Sequence, residues 1–132
     1  MDIISDMLIR IKNAQMAKAG QVLMPFSRVK FQIAQILKDG GYLSAIERRK
    51  RKSRKSELEY LELGLVYHDG EGAIGGIKLL SKPSRHIYVK AQDIQRVRSG
   101  YGFAVISTSK GIMNSREARK QNLGGEILFE IW

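Results

Sequence analysis

Cysteine is absent from all 132 residues. That excludes disulfides, thiolate nucleophiles and every cysteine-based zinc site, and it fits a cytoplasmic protein. Histidine is nearly absent: His68 and His86 are the only imidazoles, and neither lies in a Ser or Asp pattern that suggests a triad. Carboxylates are scarce where charge is densest, since residues 78–120 contain only Asp93 and Glu117. A metal-dependent nuclease would need more of them. No apolar run approaches the roughly 18 residues of a membrane-spanning helix. The amphipathic start MDIISDMLIRIKNAQ resembles neither a secretory signal nor a transit peptide. With only two prolines and scattered glycines, the chain is neither collagen-like nor low-complexity. Gly100-Tyr101-Gly102 lacks the third glycine of a dinucleotide fingerprint, and Lys110 lacks the glycine spacing of a P-loop. The expectation is no catalytic residue, no metal, no cofactor and no membrane.

What is abundant is positive charge. Twenty-three Lys and Arg oppose 13 Asp and Glu, a net +10. The distribution is uneven. Residues 78–120 carry ten basic groups against two acidic ones, so +8. A second concentration is the run Arg48, Arg49, Lys50, Arg51, Lys52, Arg54 and Lys55, interrupted only by Ser53. Such a field favours a polyanionic partner, with plain solubility as the alternative. A DNA-binding role is disfavoured because no recognition-helix module is legible.

The apolar pattern predicts an α+β protein of two small α/β modules packed together: an N-terminal αβαββ module over 1–72 and a C-terminal β-rich module with short helices over 73–132. Ile3, Ile4, Met7, Leu8 and Ile11 fall at helical spacing behind Asp2, with Asp6 and Arg10 an i,i+4 pair and Gly20 as the stop. Val22 to Met24 read as a strand. Ser27 caps a second helix, with Phe26 and Phe31 as a hydrophobic staple and Gly40-Gly41 at its end. Tyr42 to Glu47 and Glu57 to Tyr67 read as strands flanking a basic hairpin loop, 48–55, expected to be mobile. The phase slip at Tyr60-Leu61 suggests either a β-bulge or a change of buried face. After a link at His68 to Gly72, strands are expected at Gly76 to Leu80, Arg85 to Val89, Gly102 to Ile106 and Glu126 to Trp132. Short helices are expected at Ala91 to Arg98 and after Asn114, with Glu117 as capping-box partner and Gly124-Gly125 as terminator.

Two constellations in the +8 segment are chemically suggestive. Ser107-Thr108-Ser109-Lys110 places three hydroxyls and a cation in one turn. Short donors and acceptors suit the wide minor groove of A-form RNA, whereas a turn that satisfies its own hydroxyls is the bland alternative. His86, Tyr88 and Lys90 share a strand face by the two-residue period, which suits stacking between cations or a half-buried sheet tyrosine. Arg48 to Lys55 has neither aromatic nor apolar residues, and phosphate contact is its natural use.

The stretch STSKGIMNSREARKQNLGGE strongly resembles the signature of small-subunit ribosomal protein eight. Further matches are Asp6-Met7-Leu8, Arg10 to Asn13, Met24-Pro25 with Lys30, Gly41-Tyr42-Leu43, and Lys82 to Tyr88. They cover nearly the whole chain in order, and Glu126 with the turn lysine is similar to the bacterial or organellar branch. The resemblance implies a ribosomal protein of the small subunit, in cytoplasmic or organellar ribosomes. It implies binding to a stem in the central domain of small-subunit rRNA, early in assembly, beside neighbouring small-subunit proteins. In some members it implies repression of their own messenger RNA. Ser107, Thr108 and Ser109 would meet the stem's minor groove, Glu126 would brace them, Tyr88 would lie beside them, and Arg28 and Lys30 would meet phosphate. Chemistry and resemblance together give an RNA-binding set of Arg28, Lys30, Arg85, His86, Tyr88, Lys90, Ser107, Thr108, Ser109, Lys110, Arg116 and Glu126. The run 48–55 adds nonspecific phosphate contacts. In length and charge it departs from the family pattern.

Overall fold

The computed structural model describes residues 2–97 and 101–132. They form two compact units, Ile3–Ala73 and Ile74–Trp132, of the α+β class.

The first unit opens with helix α1, Ile3–Met16, which buries Met7, Leu8 and Ile11 and carries the Asp6–Arg10 ion pair at 2.9 Å. It stops well before Gly20. Lys18 takes the left-handed turn (φ 58) and Ala19 N–H donates to the Ala14 carbonyl. Strand β1, Gln21–Pro25, leads into helix α2, Arg28–Asp39. Ser27 caps α2 by accepting from Lys30 N–H, and the Phe26 and Phe31 rings meet at 6.3 Å. Gly41 (φ 86) ends it, with Tyr42 N–H reaching back to the Leu37 carbonyl. Strands β2, Leu43–Lys52, and β3, Glu57–Leu65, complete an antiparallel sheet in the order β1-β3-β2. The Ile33, Leu37, Leu61 and Leu63 side chains are fully buried. A short hairpin, β4 (Tyr67–His68) with β5 (Glu71–Gly72), turns on Asp69 and Gly70, both at positive φ.

Of the two alternatives for the phase slip in β3 the change of buried face holds, and the expectation of a loop over 48–55 is corrected. The register runs unbroken through Tyr60 and Leu61, and the irregularity lies between Leu43 and Ala45. The phase slip is thus a change of face: Leu61, Leu63 and Leu65 point to the core, while Leu58 lies on the other face, 60% exposed. The basic run is not a loop. Arg48 to Lys52 pair in register with Leu61 to Glu57, and only Ser53 to Ser56 turn, closed by Ser53 N–H donating to the Ser56 carbonyl. The like charges are tolerated because glutamates face them. Arg48 meets Glu59 at 2.7 Å, Arg49 meets Glu62 at 2.9 Å and also Glu47, and Lys50 lies 3.6 Å from Glu59.

The hydrogen bond from Arg48, with help from Lys50, holds the Glu59 carboxyl below its ordinary 4.5. Because the folded value is the lower one, its contribution to the hairpin is fully present above 4.5 and is lost as pH falls below it. NMR titration should show the Glu59 carboxyl turning over below the ordinary glutamate range, with β2–β3 cross-strand contacts weakening at that pH. A midpoint at or above 4.5 would contradict the pairing.

The second unit contains β6 (Ile77–Leu79), β7 (Tyr88–Val89), β8 (Phe103–Thr108), β9 (Gly111–Asn114), α3 (Ser115–Lys120) and β10 (Gly125–Ile131). The sheet order is β6-β10-β8-β9, with β7 also paired to β10. The strands expected at Gly76 to Leu80 and Arg85 to Val89 are shorter, because the Lys82–Arg85 bridge folds the chain back around Pro83-Ser84. In place of a continuous helix over Ala91 to Arg98, the described residues form a 3-10 turn at Ala91–Asp93, without a side-chain N-cap. Ile94 and Val97 are nonetheless buried, with Ala104, Ile106 and Ala118. Arg98 and Gly100 lie outside the described residues. Asn114 Oδ1 caps α3 by accepting from Glu117 N–H, but the Glu117 carboxylate bonds Gln121, so the box is not reciprocal. Asn122 (φ 57), not the glycine pair, terminates α3, with Leu123 N–H returning to the Ala118 carbonyl.

Candidate RNA interface

The paired glycines serve the sheet instead. Gly125 sits between Thr108 of β8 and Val89 of β7. A Cβ on Gly125 would collide with the Ser107 carbonyl, and one on Gly124 with the Val89 carbonyl. Their absence lets β10 enter closely between its neighbours, and the next residue forms a row across three strands: Ser107, Glu126 and Tyr88 are direct cross-strand partners. Such partners project from the same face. It is opposite to the face that Ile106, Ile127 and Val89 turn toward the buried cluster.

Loop 81–87 is held over this row. The Ser81 hydroxyl donates to the Ile127 carbonyl at 2.5 Å and accepts from Ile87 N–H at 3.0 Å, while Ile127 N–H donates to the Ile87 carbonyl. That brings His86 Nδ1 to 2.7 Å from Glu126 Oε2. Sequence reading did not single out Ser81. Its signal was a lone hydroxyl opening the Lys82-Pro83-Ser84 turn. Tyr88 stands 70% exposed beside the His86–Glu126 pair, an open platform for a base or ribose.

Strand β8 runs further than the sequence suggests. Ser107 and Thr108 belong to it, and only Ser109 and Lys110 form the turn before Gly111 (φ 115). The three hydroxyls divide in role. Thr108 Oγ1 donates to the Gly111 carbonyl at 2.7 Å and accepts from Lys110 N–H at 3.1 Å, so it staples the turn. Ser107 lies in the row, and Ser109 is exposed at the tip. Arg85, Lys90 and Lys110 are exposed cations of the same unit. Arg116 is exposed, yet its guanidinium donates to the Gly102 carbonyl at 3.0 Å. The second unit thus combines a hydroxyl, a carboxylate–imidazole pair, a phenol and cations. Chemically, short polar groups of this kind can bond base edges and 2′-hydroxyls, and cations can pair with phosphate.

In the first unit, Arg28 is exposed at the start of α2. Lys30, expected to meet phosphate, is 6% exposed, and its Nζ donates to the Pro25 carbonyl at 3.0 Å. Its four-carbon stem lies with the α2 core face, among Ile33, Ala34 and Leu37. No cluster of three metal-ligating side chains occurs among the described residues, and no helix among them is long and apolar enough to cross a membrane.

Ribosomal protein S8 is the family description that matches, over residues 2–132. The chain is 44% identical to a protein of Mycoplasmopsis agalactiae over 99% of its own length and 97% of the relative's. It is 41% identical to one from Nitrobacter hamburgensis, with the same coverage, and 43% identical to one from Persephonella marina, covering 98% of that protein. All three relatives carry the name small ribosomal subunit protein uS8.

Proposed function

The chain belongs to the ribosomal protein S8 family, and from that premise we propose that its second unit binds a helical stem in the central domain of small-subunit ribosomal RNA. Membership itself makes it a structural component of the small ribosomal subunit in the cytoplasm, not an enzyme, with ribosomal RNA and ribosomal proteins as partners. The observation that carries the finer reading is the row Ser107–Glu126–Tyr88, set across three strands, with Ser107 and Tyr88 drawn from the segment of charge +8. Ser107 and Ser109 would meet base edges or 2′-hydroxyls in the minor groove, and Tyr88 would stack beside them. Glu126, oriented by His86, would accept from an RNA hydroxyl or amino group, because a carboxylate repels phosphate. Arg85, Lys90 and Lys110 would neutralise phosphates, with Arg28 adding a cation from the first unit. Direct binding to a stem, with no protein as bridge, suits a role early in assembly. The same face would take a messenger hairpin of like shape.

Chemical footprinting on small-subunit RNA, with the chain's own transcript in parallel, tests the reading. Protection should centre on one irregular stem of the central domain, and no protection there would refute it. Removing both Ser107 and Ser109 hydroxyls by alanine substitution should weaken binding to that stem by about 1–3 kcal/mol, at about 0.5–1.5 per hydrogen bond. The melting temperature should hold. Thr108→Ala should do the reverse, costing about 1 kcal/mol of stability through the lost turn bonds. Equal loss on cognate and scrambled stems would remove the serines from any role in specificity.

A further inference from the structure

The β2–β3 hairpin divides its own charge into two halves. Near the sheet, Arg48, Arg49 and Lys50 are matched by Glu47, Glu57, Glu59 and Glu62. Arg48 also lies over the Phe26 ring, its guanidinium carbon 4.0 Å from the centroid. Further out, Arg51, Lys52, Arg54 and Lys55 are exposed, and no ion pair reaches any of them among the described residues. The acids that could have reached them are held inward by the first three cations. Four positive groups are thus concentrated at one end, with two serines and no carboxylate in the turn.

This end is carried outward on paired strand as far as Lys52 and closed by the turn at 53–56, which bears Arg54 and Lys55. The last half-buried residue of β2 is Ile46, and every later position to Lys52 is exposed. Six residues of antiparallel strand advance by roughly 20 Å. Glu57 and Leu58 opposite are exposed too, so the outer segment is open on both strands. Cross-strand pairing holds Arg51 and Lys52 in fixed order, and the short turn at 53–56 keeps Arg54 and Lys55 beside them, which reduces the ordering entropy lost when a polyanion engages them. Four unmatched cations repel one another unless an anion lies between them, and the partner that supplies closely spaced anions without a matching fold is a phosphate backbone.

We infer that the far half of the hairpin, Arg51, Lys52, Arg54 and Lys55, is a second RNA-binding surface that grips phosphate without regard to sequence. The inference rests on the reading that this chain binds ribosomal RNA, and it adds a site on the first unit to the row on the second. The near half, Arg48 to Lys50, is excluded from the site because its charge is already satisfied within the sheet.

Two probes separate this inference from the stem reading: full-length small-subunit ribosomal RNA, and an RNA of the same length with scrambled sequence. Binding is measured across a salt series. In the variant R51Q/K52Q/R54Q/K55Q the slope of log affinity against log salt should flatten by roughly 3 on both RNAs, at about 0.7–0.9 per lost phosphate contact. The charge-neutral variant R48Q/R49Q/E59Q/E62Q should keep the parent slope. So should R51K/R54K, which preserves the charge and guards against a misfolded quadruple variant. An unchanged slope in the quadruple variant overturns the inference and points to an acidic protein as occupant. A flattening on the ribosomal RNA alone also overturns it, because the tip would then read sequence. If the parent chain shows no preference for ribosomal over scrambled RNA, the stem reading fails, while the slope comparison still decides the tip.

Discussion

Gly125→Ala is expected to lose binding to the central-domain stem by tenfold or more and to lower the melting temperature by roughly 10–20 °C. The added methyl points into the Ser107 carbonyl and close to Thr108. Both are backbone atoms of a paired strand and cannot swing aside as a side-chain end would. Overpacking of this kind costs about 1–3 kcal/mol, and a rigid neighbour puts the cost near the upper end. In a unit of this size each kcal/mol shifts the midpoint by roughly 4–8 °C. Binding suffers separately, since relief of the clash must move β10 away from β8 and β7. That motion breaks the alignment of Ser107, Glu126 and Tyr88, which are partners only through β10. Gly20→Ala is the control, because a Cβ there meets nothing within 4 Å and the residue is not at positive φ. Melting curves and stem binding for the two variants decide the matter. A Gly125→Ala protein that melts and binds like the parent would show that the close approach is not needed.

Affinity for the stem should fall steeply with salt. If the second unit contacts about five phosphates, log affinity against log salt has a slope of roughly −3.5 to −4.5. Raising salt fourfold from about 50 mM then weakens binding by roughly two orders of magnitude or more. The segment 78–120, with ten cations and two acids, motivates the size of the effect. Replacing Tyr88 with Phe or Ala should shift the whole line without tilting it, because no cation leaves. A line flat across the series would mean that the field of this segment does not meet the backbone.

Local chemistry made much of the fold legible. The Ser27 cap, the Phe26–Phe31 staple and the Asn114 cap are short-range patterns, and each forms as its spacing implies. The segment of the candidate site drew notice through its charge and its run of hydroxyls. What escaped depends on residues distant in sequence. Seven basic groups in eight positions read as a solvated loop until Glu57, Glu59 and Glu62 are brought opposite them, and their alternation is invisible without the register. The Gly124-Gly125 pair read as a helix stop because that is the usual local use of glycine. Its actual role is set by carbonyls on β7 and β8. The burial of Lys30 escaped because its charge was weighed without the face of α2 on which it lies.

That burial of Lys30 bears on how assembled subunits are probed. Acylating reagents modify lysines according to the access they have to the amine. Lys52 and Lys55 are open in the free chain, whereas Lys30 is shut in against the Pro25 carbonyl before any partner arrives. Protection of Lys30 inside a ribosome therefore carries no information about contact, and its modification would report unfolding of the first unit. Protection of Lys52 and Lys55 on assembly would mark occupancy of the hairpin tip, so one labelling reaction read at three positions separates an intact fold from an engaged one.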